Sequence, residues 1–239
     1  MKRLVLGVIA IGAGLVMLPM LAAFEAHVVN VTARIENALY VHPQSRTFGT
    51  VFPQEHLEQG IFVTFSESFS VEDQTRVGTV EYQIKQKPKP LETFVAQVGV
   101  DDARLWCHDN YPTVPYDANN ASWQAYLTNC YPSLCPYLSK TPDGFPQPSN
   151  DVGVLPFHDP FDPSSFALGK INKFGVDVGD TWIIDLAVPC FQGHCAQDWS
   201  DFVLDLNPNA GDPSQYELPP QLEHQVFGCD LWVEVTDIY

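Results

Sequence analysis

Apolar residues at every second position constrain this chain more strongly than any other feature of its sequence. Because the side chains of an extended chain point to opposite faces in turn, this alternation predicts β-strands that bury one face. The pattern is found in four stretches, at residues 61–65, 80–84, 182–188 and 229–235. We therefore expect strands in both the early and the late part of the chain.

A fifth stretch with this alternation lies close to the N-terminus. After His27, the apolar residues Val29, Val31, Ala33 and Ile35 fall on one side of an extended chain, and polar residues fall on the other. Such a strand needs a partner, because an isolated strand leaves its backbone N–H and C=O groups unpaired. The partner is a sheet either of the same molecule or of a neighbouring one.

The first 23 residues have the composition of a secretory signal peptide. Lys2 and Arg3 precede a run without charged residues from 4 to 23, which ends at the small residue Ala23. Cleavage there leaves a mature chain of residues 24–239, secreted or held at the cell surface. The alternative is an uncleaved membrane anchor, because about 20 apolar residues suffice to span a bilayer.

The composition of the mature chain suits one folded domain. Hydrophobic residues make up 45% of the sequence, and 15 Phe, 9 Tyr and 5 Trp can build a sizeable core. The formal net charge is −17, from 12 basic and 29 acidic residues. This charge repels nucleic acid and anionic lipid, so we expect neither as a partner. Contact with a membrane would require an uncleaved signal segment.

Six cysteines in an exported chain predict up to three disulfides. They are Cys107, Cys130, Cys135, Cys190, Cys195 and Cys229. The short spacings would allow Cys130 to bridge to Cys135 and Cys190 to Cys195, with a long-range bridge between the remaining two. Six cysteines allow 15 pairings, and exchanges within this set are equally compatible with the sequence.

The interval from residue 101 to 175 differs in composition from the rest of the chain. It is rich in Pro, Asn, Asp and Ser, which indicates an irregular insertion held by disulfides. Within it, helical spacing predicts a short helix over 123–130, capped by Ser122. Two short strands are also predicted, at residues 91–100, just before the interval 101–175, and at residues 104–107, at the start of that interval.

Early strands, a long insertion and late strands predict an all-β fold. We expect an antiparallel, jelly-roll-like sandwich of two sheets, formed by residues 24–239, in which N- and C-terminal strands pair. A short helix is predicted at 199–206, closed by Asn207 and Pro208. Regular alternation of strands and helices is missing from the sequence, which argues against a parallel sheet.

This order of features resembles the camelysin/TasA-like family of secreted biofilm-matrix proteins. The features are the signal peptide, the amphipathic strand, the turn Phe52-Pro53-Gln54-Glu55, the paired strands, the insertion and the two final strands. The resemblance implies a jelly-roll fold and subunits that self-assemble into extracellular fibres, in which an extended N-terminal segment completes the sheet of the next subunit. Here that segment would be residues 27–35. If it is not donated, the protein is monomeric or anchored.

Members of that family have been described as metallopeptidases, so a zinc site is the enzyme alternative. The helical HExxH motif of zinc peptidases is absent from the sequence. The histidines are His27, His42, His56, His108, His158, His194 and His224. Cys107–His108 and His194–Cys195 are neighbours in sequence, but adjacent residues of a strand point to opposite faces, which disfavours a Cys–His nucleophile. We therefore predict no catalytic residue and no cofactor.

A binding module is a further alternative, with two candidate surfaces in the insertion. Asp151, Asp159 and Asp162 could hold calcium, although their spacing matches no EF-hand loop and solvated carboxylates are favoured. The aromatic residues of the insertion could stack against a sugar, but a small core around the disulfides is favoured. They are Trp106, Tyr111, Tyr116, Trp123 and Tyr126.

Overall fold

The computed structural model describes residues 37–70, 78–144 and 150–239. The predicted signal peptide and the predicted assembly strand with His27, Val29, Val31, Ala33 and Ile35 lie outside these residues. Within them, no helix is both long and apolar enough to cross a lipid bilayer.

The described chain contains seven β-strands. They are β1 (Leu39–His42), β2 (His56–Phe65), β3 (Thr79–Lys87), β4 (Leu138–Pro142), β5 (Ala167–Asn172), β6 (Gly179–Ala187) and β7 (Asp230–Ile238). One sheet has the order β1-β2-β6-β4 and the other has the order β5-β3-β7. All the pairings are antiparallel. The fold is therefore mainly β, with two antiparallel sheets in a sandwich-like arrangement.

Early strands pair with late strands, as the sequence predicts. Ile61 of β2 lies opposite Trp182 of β6, and Ile84 of β3 lies opposite Val233 of β7. The alternating residues that were expected inside are buried, among them Val63, Val80, Tyr82, Ile84, Trp182 and Leu186. Removing this apolar surface from water is the main force that holds the sheets together.

The interval 101–175 is more than an insertion, because it supplies one strand to each sheet. β4 pairs with β6, and β5 pairs with β3. The sequence pattern does not predict these two strands, because their inward residues are not consistently apolar. β4 places Lys140 inside, and β5 places Gly169 inside. Gly169 lies against the ring of Tyr82, which occupies the space that a Cβ atom would need.

Five α-helices connect the described strands. They are α1 (Glu67–Ser70), α2 (Glu92–Val98), α3 (Val100–Asp109), α4 (Ala121–Asn129) and α5 (Trp199–Leu206). The predicted short strands at 91–100 and 104–107 are therefore wrong. Gly99, with φ +92°, separates α2 from α3, and Ala103 and Cys107 of α3 are buried one helical turn apart.

The two predicted helices are confirmed. α4 begins after Asn120, whose side chain accepts hydrogen bonds from the backbone N–H groups of Ser122 and Trp123 at 2.9 and 3.4 Å. The cap is therefore Asn120 and not Ser122, which lies in the first turn. α5 ends at Asn207 as expected, and it buries Trp199 and Val203.

Three disulfides are present, as predicted, and one of the short-range bridges is confirmed. Cys190 bonds to Cys195, Cys107 to Cys130, and Cys135 to Cys229. The predicted bridge between Cys130 and Cys135 is wrong, and so is the predicted long-range bridge between Cys107 and Cys229. Cys130 ends α4 against α3, whereas the chain before Cys135 runs beside the start of β7, where Leu134 N–H donates to Gly228 O at 2.9 Å. Three disulfides suggest an oxidising, extracellular environment.

The disulfides differ in how much chain they close, which predicts unequal effects on stability. We expect removal of the Cys135–Cys229 bridge, with a separation of 94 residues, to lower the free energy of unfolding by about 4.7 kcal/mol. Removal of the Cys190–Cys195 bridge, with a separation of 5, should cost about 2 kcal/mol. Urea unfolding of the two paired Cys→Ser variants measures both, and equal losses would contradict the prediction.

Candidate functional site

One side of the sandwich is closed by a short segment that contacts both sheets. Val154 bridges to Lys140 of β4, and Val152 bridges to Leu168 of β5, each through backbone hydrogen bonds of 2.8–2.9 Å. The opposite ends of the two sheets are β1 and β7. Within the described residues, β1 pairs only with β2 and β7 pairs only with β3. These strands are the candidate functional site, because an edge strand carries unpaired backbone groups.

The C-terminal half of β7 leaves core-side residues exposed. Val235 lies opposite Tyr82, and Ile238 lies opposite Val80, so both share the face of fully buried residues. Nevertheless, Val235 is 41% exposed and Ile238 is 42% exposed. An incoming strand at this edge would cover apolar surface that the described chain leaves in water.

The other face of β7 is occupied by charge pairs. Lys87 lies over the ring of Trp232 at 3.4 Å, and Glu234 binds Lys85 and Lys87 at 3.1 and 3.2 Å. Arg104 of α3 binds Asp230 at 3.0 Å. These contacts fix β7 to the body of the protein while the apolar part of its edge stays accessible.

The two residues that precede β1 are hydrogen-bonded to Ser66, which follows β2. The chain before β1 is held at Asn37 and Ala38, where Ser66 Oγ donates to Asn37 O at 2.7 Å and Ser66 N–H donates to Ala38 O at 2.9 Å. β1 covers only residues 62–65 of the ten-residue β2. Alongside the rest of β2, the side chain of Arg46 donates to Gly60 O.

The three calcium candidates are far apart in role: each aspartate side chain accepts a hydrogen bond from a different backbone N–H group. The side chain of Asp151 accepts from Lys170 N–H at 3.0 Å. The side chain of Asp159 accepts from the N–H group of residue 161 at 3.0 Å, and that of Asp162 from the N–H group of residue 164 at 2.8 Å. In the described ranges, no three or more His, Cys, Asp or Glu side chains come together in a group that could hold a metal ion.

Aromatic residues of the interval 101–175 form a small second core. Tyr111, Trp123 and Tyr126 contact one another with ring centroids 5.4–5.9 Å apart, next to the Cys107–Cys130 disulfide. Burial raises the pKa of Tyr111 to about 12 and also raises that of Tyr126. The favoured interpretation, a core around a disulfide, therefore holds for Tyr111, Trp123 and Tyr126.

The two Cys–His neighbours cannot supply a thiolate. Cys107 and Cys195 are both bonded in disulfides. His108 lies on the surface with its ring 3.0 Å from Asp109. A nucleophile at either place would need reduction of a structural disulfide first.

A buried polar cluster between the sheets was missed at the level of sequence. Lys140 is fully buried, and its Nζ has no hydrogen-bond partner within the described chain. Burial lowers the pKa of Lys140 to about 7. Nearby, His158 Nε2 lies 2.6 Å from Gln86 Oε1, and burial together with Lys140 lowers the pKa of His158 to about 4. Gln86 continues the alternation of β3 by one inward step, which is the signal that could have revealed it.

A second buried group lies at the other end of β3. The hydroxyl of Tyr82 donates to Asp180, and Trp182 Nε1 donates to the same hydroxyl at 2.7 Å. Burial, together with the neighbouring carboxylates of Asp151 and Asp177, raises the pKa of Asp180 to about 8, although the hydrogen bond from Tyr82 acts to lower it. Asp180 precedes Trp182 by two residues, so the same alternation predicts its inward position.

A scan against protein-family models, a search of curated proteins and a search of solved structures find no match to this chain. The camelysin/TasA-like resemblance therefore stays a prediction from the order of sequence features. The function has to be argued from the described geometry itself.

The buried Lys140 predicts a stability that rises at alkaline pH. Its pKa is about 7 in the folded protein and 10.5 as the ordinary value, so the unfolded chain binds more protons between these limits. The free energy of unfolding should rise across pH 7–10 by up to about 1.4 kcal/mol per unit. Lys140→Met should be more stable than wild type near pH 7 and should lack this rise in urea unfolding. Parallel pH profiles would contradict the prediction.

The buried Asp180 predicts the opposite slope at lower pH. Its pKa is raised from 3.8 to about 8, so the folded protein binds more protons between these limits. Stability should fall as pH rises from about 4 to about 8. Asp180→Asn should lose this fall, because the amide oxygen still accepts from Tyr82 without ionising. Asp205→Asn, on the exposed surface of α5, is the control that should keep the wild-type profile.

Proposed function

We propose that this protein is an exported structural subunit that assembles into extracellular fibres by pairing of β-strands between neighbouring molecules. The single observation that carries the proposal is the exposure of Val235 and Ile238 on the core side of the edge strand β7. An edge strand with uncovered apolar residues is a template for another strand.

The proposed donor is the alternating stretch that contains His27, Val29, Val31, Ala33 and Ile35 of the next subunit. Its backbone would pair with the free edge of β7, and its apolar side chains would then lie beside Val235 and Ile238 on the core side of the sheet. Because full burial of an aliphatic side chain contributes about 1.5–3 kcal/mol, covering these two half-exposed residues adds on the order of 1 kcal/mol each. Backbone hydrogen bonds along the strand would add to this contribution.

Secretion and a jelly-roll-like topology form part of the same proposal. The disulfides support export, since such bonds persist in oxidising compartments. The pairing of β2 with β6 and of β3 with β7 supports a fold in which early strands return to late ones. The layout shared with camelysin/TasA-like proteins points in the same direction.

Charge at the β7 edge should abolish the fibres. We expect Val235→Asp/Ile238→Asp to stay folded, because both residues are already half-exposed, but to remain monomeric by electron microscopy and sedimentation. Val176→Asp is the matched control, since Val176 is 70% exposed in the loop after β5, and β5 lies on the other side of β3 from β7. Wild-type filaments that persist in the double variant, or a wild-type protein that forms none, would overturn the proposal.

Removal of residues 27–35 tests the donor separately from the acceptor. The shortened chain should form no filaments alone, yet it should cap wild-type filaments, because its β7 edge still accepts a donated strand. Filaments of normal length from the shortened chain would show that another segment is donated.

The net charge of −17 also means that assembly should be faster at higher salt.

A further inference from the structure

A groove of about 460 Å³ lies between the end of α4 and the segment before β7. Leu127 and Cys130 come from α4 and its end, and Tyr131 and Pro132 follow them. The other wall is formed by Gln221, Leu222, Gln225 and Val226, the first two of which belong to a short 3₁₀-helix at Pro220–Leu222. The volume lies within the range of about 300–1,000 Å³ that is common for small-molecule sites.

The walls of the groove are fixed by bonds that do not depend on a ligand. Leu91 N–H donates to Asn129 O at 2.8 Å, and Tyr131 N–H donates to Lys89 O at 3.0 Å. The disulfide of Cys130 ties the same wall to α3. On the opposite wall, Gln225 N–H donates to Leu222 O at 3.2 Å. A site held in this way loses little entropy when a ligand binds.

Two tyrosines supply aromatic surface to the groove. The ring of Tyr116 packs on Trp123 with centroids 5.4 Å apart, and Lys89 Nζ lies 5.4 Å from the ring centroid of Tyr131. Gly228 leaves room for Tyr131, because a Cβ atom at this glycine would lie 3.1 Å from the tyrosine side chain. Each tyrosine ring is therefore positioned by a neighbour outside the groove lining.

The rim carries two amide side chains that have no partner of their own. Gln221 and Gln225 are exposed, and in the described chain neither side chain makes a hydrogen bond. His224 lies between them with φ +62°, in the left-handed region that a non-glycine residue rarely adopts. This turn brings both glutamines to one lip of the groove, where each amide offers two donors and one acceptor oxygen.

The lining of the groove is uncharged, although the protein carries a net charge of −17. No lining residue offers a cation to a phosphate, sulfate or carboxylate ligand or a carboxylate to a metal ion, and Lys89, beside Tyr131, is not part of the lining. The ligand that fits must therefore be neutral, with an apolar face for the tyrosines and hydroxyl or amide groups for the glutamines. A pyranose ring has both properties, because its C–H groups and its hydroxyls point in different directions.

We propose that this groove binds a neutral sugar unit of a glycan, placed against Tyr116 and Tyr131 and hydrogen-bonded by Gln221 and Gln225. The site is separate from the β7 edge, and none of its lining residues belongs to β7. A fibre subunit with such a groove would hold polysaccharide along the fibre. The binding itself does not require assembly.

Isothermal titration with defined tetrasaccharides tests this proposal. Cellotetraose, maltotetraose and chitotetraose are the neutral probes, and a sulfated tetrasaccharide is the charged comparison. We expect at least one neutral probe to bind and the sulfated one to bind at least ten-fold more weakly. Gln221→Ala/Gln225→Ala should weaken binding at least ten-fold with an unchanged melting temperature, because both side chains are exposed.

The matched control is Gln97→Ala/Gln192→Ala, which removes two exposed glutamines that do not line the groove. It should bind as wild type does. The inference is overturned if no neutral probe binds at millimolar concentration, if the sulfated probe binds equally well, or if the Gln221/Gln225 variant keeps wild-type affinity. Val226→Asp gives a second check. A carboxylate on the exposed rim should not impair folding, but it would have to lose water when a sugar binds and should therefore weaken sugar binding.

Discussion

The two sheets meet through Tyr82 of β3 and Trp182 of β6, and the rest of the sandwich is arranged around this contact. Both side chains are fully buried, their rings meet edge to face with centroids 6.5 Å apart, and the indole N–H donates to the tyrosine hydroxyl. The hydroxyl in turn donates to Asp180. Large aromatic rings give such a contact much apolar area, and the hydrogen bonds satisfy the polar atoms that enter the core with them. Gly169 is required beside Tyr82 because no side chain would fit there.

The alternation of apolar residues was sufficient to predict the strands that bury consistently apolar faces. β2, β3, β6 and β7 were found in this way, because each follows the period of two over at least three inward residues. The same rule carried two residues further would also have placed Gln86 and Asp180 inside. β4 and β5 were not found, since a lysine and a glycine occupy inward positions and remove the apolar signal.

The helices and disulfides show where local patterns are not enough. The apolar residues of α2 and α3 were interpreted as two short strands, but both stretches are helical, and Gly99 with φ +92° separates them. Cysteine spacing favoured a bridge from Cys130 to Cys135, but the fold draws these residues to different partners. Residues of the candidate edge, such as Val235, were predicted as strand residues. Their exposure depends on the order of strands in the sheet, which the pattern does not specify.

In a fibre of the kind we propose, the bridge from Cys135 to Cys229 would have a mechanical consequence. Cys229 immediately precedes β7, and Cys135 lies three residues before β4 of the other sheet. Tension that a neighbouring subunit applies along β7 therefore passes through a covalent bond into the opposite layer, in addition to the hydrogen bonds to β3. The hydrogen bonds from β7 to β3 can fray from the C-terminal end of the strand, but the strand stays tethered to the body as long as the sulfur–sulfur bond is intact. Under reducing conditions the same pull would act on hydrogen bonds alone, so the tensile strength of the fibre would follow the redox state of its surroundings.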